Sequence, residues 1–260
     1  DHDRIYTRVM KETDGEPMAI RRAKAFCAGV REMPINIAPD ELFVGYINAT
    51  WAGYRVSAES GPPTIEEVLQ YAKRRRSVIS EEYERELRNE IMPYWENTMP
   101  GTHYYELAPD NVYQLLYDNR PLVRADHFGH LSINYEKVLK KGFLGVRNDA
   151  EERLVRLNYN DPEELKKIPF LRGAIMAMEA AAKIGKRFAA KARELADREE
   201  DVNRRAELQI IARVCDWVPA NPARTFYEAI QSVWFAYILL YWETMNVEGF
   251  AVARPYQYLY

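Results

Sequence analysis

The segment PARTFYEAIQSVWFAYILLYWE (222–243) constrains the fold more than any other stretch of the chain. Its spacing is helical, yet apolar residues occupy nearly the whole circumference. Such a helix is stable only where protein surrounds it. Its longest apolar run, VWFAYILLYW at 233–242, has ten residues, about half of the roughly 20 needed to cross a bilayer. The segment is therefore a buried core helix, and no membrane partner is expected.

Several other segments have helical period. PMAIRRAKAFCAGVREM (17–33) carries Pro17 where a first turn tolerates it, with Ile20, Ala23, Phe26, Cys27 and Val30 on one stripe. Thr64 and Glu67 form a capping box for a helix over about 65–76. Ser80 opens EEYERELRNEIMPYWEN, which Pro93 is expected to bend or end. Ser132 or Asn134 caps YEKVLKK, and Gly142 closes it as a C′ residue. DAEERLVRL resumes helical spacing. Residues 161–200 read as one long helix, or two meeting at Pro169, and 201–218 as another. PINIAPDELFVGY (34–46) is a break followed by a short extended or turn-rich piece. With 251–260, it is the best strand candidate. The fold class is mainly α with a few strands, built from long antiparallel neighbours.

Charge narrows the partners. The formal net charge is −3, and KRRR (73–76) is followed by EEYERE (81–86). These read as the solvated face of a helix and not as a nucleic-acid surface. The two cysteines, Cys27 and Cys215, belong to no CxxC or Cys/His cluster. They read as buried thiols and give no disulfide framework. Unclustered thiols fit a reducing, cytoplasmic compartment, and the charged start, DHDRIYTRVMKETDGE, is no signal peptide. RPYQYLY (254–260) stops within an aromatic, strand-like run, which suggests a truncated chain.

Candidate chemistry concentrates in VRADHFGHLSINYEKVLKKGF (123–143), where His127 and His130 stand three apart. No carboxylate or thiol completes a metal set at ligand spacing, so no metal is expected. The chain has no G-x-S-x-G elbow and no Walker or dinucleotide glycine pattern. Each histidine is then either a satisfied structural group or a neutral polar group on a cavity wall. In the second case Gly129 permits close backbone approach and the capped helix behind fixes the position.

Five stretches, in order, resemble one family: EPMAIRRAKAF (16–26), PINIAPDELFVGY (34–46), GHLSINYEKVLKKGFLGV (129–146), ELQIIARVCDWVPANPARTFYEAIQSVWF (207–235) and ARPYQYLY (253–260). Together they resemble the N-terminal part of the glycyl radical enzymes. This pyruvate formate-lyase-like family includes glycerol and propanediol dehydratases, choline and sulfonate lyases, arylacetate decarboxylases and benzylsuccinate synthase.

The resemblance implies the N-terminal part of a ten-stranded α/β barrel wrapped in helices, with residues 1–260 as one partial domain. It implies lyase, dehydratase or decarboxylase chemistry on a small organic substrate under anaerobic conditions. A glycyl radical in a C-terminal loop would generate a thiyl radical on a mid-chain cysteine, and the thiyl would take a hydrogen atom from substrate. Neither loop is recognisable here, so the chain alone is expected to be inactive. No cofactor is expected within it. The radical would be installed by a separate radical S-adenosylmethionine activating enzyme, and the full-length protein would pair as a homodimer.

In the dehydratase branch a histidine in a GHLS-like motif contacts the substrate hydroxyl, which carries over to His130. His127 has no counterpart and stays structural. EGFAVARPYQY departs from the dehydratase pattern: Phe250 and Ala251 replace polar residues near the expected substrate pocket, and Pro255–Tyr256 replaces the usual pair. A wall that lost a hydroxyl and gained an aromatic ring suits a less polar, aromatic, carboxylate or sulfonate substrate. The rival reading is a non-catalytic helical domain kept for packing or partner binding.

Overall fold

A computed structural model of the protein describes residues 1–46, 79–96 and 133–244. The chain divides into two compact units, one formed by Asp1–Ala49 with Leu131–Tyr260 and the other by Thr50–His130.

In the first unit the helices are α1 (His2–Glu12), α2 (Met18–Glu32), α5 (Tyr135–Val155), α6 (Pro162–Leu165), α7 (Ile168–Arg198), α8 (Val202–Trp217) and α9 (Phe226–Thr244). Among the described residues there is no strand. Helix α1 has no counterpart in the sequence reading. It exists because Ile5, Tyr6, Val9 and Met10 form a buried stripe inside an otherwise charged segment. Helix α2 matches expectation within a residue at each end. Ala23, Phe26 and Val30 are buried, while Ile20 and Cys27 are half-buried.

Helix α7 is the central post, packed against α2, α5 and α8. Its buried face is largely alanine, including Ala181, Ala189 and Ala192, with Ile184 and Phe188 at its middle. Small residues let neighbouring backbones close in. A Cβ at Gly173 would stand 2.7 Å from the carbonyl oxygen of Ala19, and one at Gly185 would stand 2.2 Å from that of Val218. The expected junction at Pro169 is real but sits one turn earlier: α6 ends at Leu165 and Pro169 occupies the first turn of α7, where its missing N–H costs nothing. Asp201 caps α8, its carboxylate accepting from the N–H groups of Asn203 and Arg204 at 2.7 and 3.0 Å.

The strand expected over 34–46 does not form. Its backbone groups are satisfied by side chains instead of a ladder. The Gln231 amide donates to the Val44 carbonyl and accepts from the Val44 N–H, both at 2.9 Å. Trp234 Nε1 donates to the Gly45 carbonyl at 2.9 Å. The Glu41 carboxylate accepts from the N–H groups of Ala38 and Gly45, and burial pushes its pKa up. Arg204 Nη2 donates to the carbonyls of Ala38 and Glu41. Just before this segment, Arg187 donates to the carbonyls of Val30 and Met33, closing the C-terminus of α2.

In the second unit, Ser80 Oγ accepts from the Tyr83 N–H at 3.2 Å and starts α3 (Glu81–Glu86). A π-helical turn, Leu87–Ile91, leads into α4 (Met92–Glu96). Pro93 does not end the helix. The Met92 N–H reaches back five residues to the Leu87 carbonyl, and that widened turn precedes the proline. The helix expected over 65–76 and the strand expected over 251–260 lie outside the described residues.

Candidate functional site

His127, His130, Phe250 and Ala251 lie outside the described residues. The described residues are those that frame them in sequence: the start of α5, just after His130, and the end of α9, just before Phe250.

The start of α5 is firmly set. Asn134 Oδ1 accepts from the Lys137 N–H at 2.9 Å, so Asn134 and not Ser132 is the cap. Gly142 is confirmed as a non-helical glycine, with φ +64° and ψ 173°, but it kinks the helix and does not end it. The kink frees the N–H groups of Phe143 and Leu144, which donate to the carbonyls of Pro219 and Ala220 at 2.9 and 3.1 Å. In return the Ala223 N–H donates to the Leu139 carbonyl at 3.1 Å.

The VPANPART turn (218–225) is thereby a structural junction between α8, α5 and α9. Asn221 Nδ2 donates to the last carbonyl of α8, that of Trp217, and Trp217 Nε1 donates to the Pro222 carbonyl. The Arg224 guanidinium lies 4.0 Å from the centre of the Trp217 ring. Glu228 accepts from the N–H and the side chain of Arg224, and Thr225 Oγ1 accepts from the Glu228 N–H. Burial pushes the Glu228 carboxyl up, but these donors outweigh it and hold the group below its ordinary range.

The end of α9 is clamped by residues far away in sequence. Glu243 accepts from Tyr6 Oη at 2.7 Å and from Arg22 Nε and Nη2 at 2.9 and 2.8 Å. A carboxylate near a helix C-terminus opposes the helix dipole, and these donors offset that cost. Arg22 and Glu243 border a cavity of about 420 Å³ that is otherwise almost wholly apolar. Ile133, three residues after His130, lines the same cavity, as do Phe26, Phe143 and Phe170.

The described residues supply a scaffold and not a reacting group. Cys27 is half-buried in α2, its thiol donating to the Met176 carbonyl at 3.4 Å, and Cys215 is buried in α8. Burial pushes both thiol pKa values up, which disfavours the nucleophilic thiolate. Neither thiol lines the cavity. Among the described residues no group of His, Cys, Asp and Glu is placed to hold a metal ion, and no helix is long and apolar enough to cross a membrane.

Sequence reasoning missed the Tyr6–Glu243–Arg22 clamp, because no local pattern links positions 221 or 237 residues apart. Gln231 was legible in principle. A lone amide inside AIQSVWFAY must find partners or go unpaired in the core, and it finds Val44.

Among its described residues the first unit is a layered helical assembly with a glycine-kinked junction and a clamped core helix, and its likeness to known proteins identifies the enzymes that share it. The whole chain, residues 1–260, matches the family model described as pyruvate formate lyase-like, and the chain belongs to that family. The isethionate sulfite-lyase of Oleidesulfovibrio alaskensis is 32% identical over 250 residues, covering 89% of this chain and 30% of the relative. Among solved structures, the glycerol-bound B12-independent glycerol dehydratase from Clostridium butyricum superposes with TM-score 0.88. It shows 29% identity across 99% of this chain and 34% of its own. A glycyl radical enzyme from Archaeoglobus fulgidus gives TM-score 0.84 and 34% identity, covering 94% of this chain and 32% of its own. The chain therefore spans about a third of the length of the relatives it matches.

Proposed function

We propose that residues 1–260 form the N-terminal helical part of a glycyl radical lyase or dehydratase, acting on a small organic substrate by thiyl-radical hydrogen abstraction. One observation carries the reading: the family match runs over every residue from 1 to 260, and the fold superposes on a glycerol dehydratase across 99% of the chain. The radical, carried by polypeptide outside these residues and installed by a radical S-adenosylmethionine activating enzyme, supplies the unpaired electron. The helical layer proposed here helps to close off the reaction chamber, where side reactions would otherwise quench a carbon radical.

Within that reading His130 is a wall residue. A neutral imidazole placed by the Asn134 cap hydrogen-bonds a substrate hydroxyl or carboxylate and orients the C–H bond to be broken. Phe250 and Ala251 form a less polar stretch of the same wall. They favour an aromatic, carboxylate or sulfonate substrate over a plain diol.

The test uses the full-length protein, activated anaerobically and incubated with a panel that includes a diol, a hydroxy-sulfonate and an arylacetate. A glycyl radical signal by electron paramagnetic resonance and turnover of at least one panel member are expected. His130→Ala should lower kcat/KM about 100-fold or more with an unchanged melting temperature. Absence of any radical signal refutes the enzyme reading. Wild-type turnover by the His130→Ala protein refutes the wall role alone.

A further inference from the structure

The end of α9 is held more tightly than a helix end requires. The helix stops at Thr244, and the residue before it, Glu243, is fixed by both side chain and backbone. Arg22 Nε and Nη2 grip Oε1 of its carboxylate, and Tyr6 Oη grips Oε2. Arg22 Nη2 also reaches the Glu243 carbonyl at 3.4 Å, one of the carbonyls that a helix end leaves without an intrahelical partner. The Tyr6 ring is itself pinned. It is 3% exposed, it stacks on the His2 ring with centres 3.9 Å apart, and it lies against Gly29 of α2, where a Cβ would stand 3.4 Å from Cε2. The position of the Tyr6 oxygen is therefore set by α1 and α2.

Stability alone does not call for this arrangement. A carboxylate in the last turn of a helix opposes the helix dipole, where a lysine or arginine would be favourable, and α9 has no basic residue in its last turn. The pair is also partly solvated, with the Arg22 side chain 41% and the Glu243 side chain 25% exposed, and ion pairs of that kind contribute little to folding. What the acid supplies is direction. Both of its oxygens are taken, by donors on two other helices, so the plane of the carboxylate is fixed relative to α1 and α2. A helix end held this way can neither slide along its axis nor turn about it without breaking one of those bonds.

Phe250 follows Glu243 by seven residues, with Ala251 next to it. These two are the proposed less polar stretch of the substrate wall. We propose that Glu243 is a positioning residue: gripped by Tyr6 and Arg22, it sets the exit of α9 and, through it, the alignment of that wall with the substrate. This rests on the proposed reading of the chain as part of a glycyl radical enzyme. Loss of the grip lowers the rate of each activated molecule. It leaves the number of activated molecules unchanged, because the radical is carried by polypeptide outside these residues.

The experiment uses the full-length protein, activated anaerobically, with two substitutions made separately. Glu243→Gln removes the charge that Arg22 grips. Tyr6→Phe removes one hydroxyl and keeps the stacked ring. Glycyl radicals are counted by electron paramagnetic resonance, and turnover of each panel member that the unsubstituted protein accepts is expressed per radical. Radical counts should stay within about twofold of the unsubstituted protein and melting temperatures within about 3 °C. Per-radical kcat/KM should fall about 100-fold in Glu243→Gln and about tenfold in Tyr6→Phe, as a wall misplaced by about 1 Å implies. Per-radical kcat/KM within twofold of the unsubstituted value in both variants overturns the proposal. So does a loss of activity wholly accounted for by fewer radicals and a lower melting temperature, which is what a merely structural clamp gives. If Glu243→Gln does not fold, Tyr6→Phe decides on the same criteria. An unsubstituted protein without a radical brings down the enzyme reading and the positioning role together, whereas a normal radical with unchanged per-radical rates in the variants overturns the positioning role alone.

Discussion

Gly142 and Gly15 both hold a positive φ, at +64° and +83°, but their surroundings differ completely. Around Gly15 a Cβ would meet nothing within 4 Å, whereas at Gly142 it would stand 2.3 Å from the Ala220 carbonyl oxygen. The cost of Gly15→Ala is therefore conformational only, on the order of 1–2 kcal/mol. Gly142→Ala adds a clash between two backbones that hydrogen bonds from Phe143 and Leu144 hold together. Its backbone region, with ψ 173°, is nearly closed to residues other than glycine. We expect Gly142→Ala to lower the melting temperature clearly more than Gly15→Ala does. Thermal unfolding of the two proteins side by side decides this, and melting points within about 1 °C of each other would refute it. The sequence marks Gly142 as special through the lysines before it and the capped turn behind. It does not reveal that the constraint is the Ala220 carbonyl, 78 residues later, because no local period encodes a tertiary approach.

At the scale of elements, helix starts were more legible than helix ends. Ser80, Asn134 and Asp201 each cap the helix that follows, because a short polar side chain can reach the orphan N–H groups of a first turn. The end of α2, by contrast, is closed by Arg187 from another helix, which no reading of α2 itself could supply. The segment 34–46 failed as a strand for a related reason. Its partners are side chains of α8 and α9, and an extended, turn-rich sequence does not distinguish them from a neighbouring strand. The start of α9 makes a pH-dependent prediction. The Arg224 donors hold the Glu228 carboxyl below its ordinary value of 4.5 despite the opposing effect of burial. A carboxyl depressed in the fold stabilises it above the unfolded pKa, and that contribution disappears as pH falls through the folded one. Glu228→Gln should therefore melt lower than wild type at pH 7, by about 2 °C or more. The gap should close as pH drops below about 4.5. A gap that stays constant from pH 7 to pH 3.5 would show that packing, and not charge, is what Glu228 contributes.

For the molecule as a whole, the all-round apolar character of 222–243 was the feature that proved most informative. Val233, Phe235, Ala236, Ile238, Leu239 and Trp242 are buried, as a helix surrounded by protein requires. The other half of the same core was less visible, since α7 reads as an ordinary alanine-rich amphipathic helix. Its importance comes from position: Phe188 is 2% exposed, its ring lies 5.2 Å from that of Phe235, and it closes around the backbone of Gly45. Phe188 thus joins α7, α9 and the irregular segment that follows α2 into one cluster. Truncating it leaves a cavity beside the Phe235 ring and the Gly45 backbone, so the loss belongs in the range for Phe→Ala, about 3–5 kcal/mol. Because the three elements share the ring, they should loosen together. Native-state hydrogen exchange on Phe188→Ala should show amide protection falling by roughly two to three orders of magnitude in the middle of α7 and across 235–239, and also at Val44, whose N–H is held by Gln231. If protection fell in α7 alone and 235–239 kept wild-type exchange, the two helices would not share one cooperative core, and the helical layer would be an assembly of separately stable pieces.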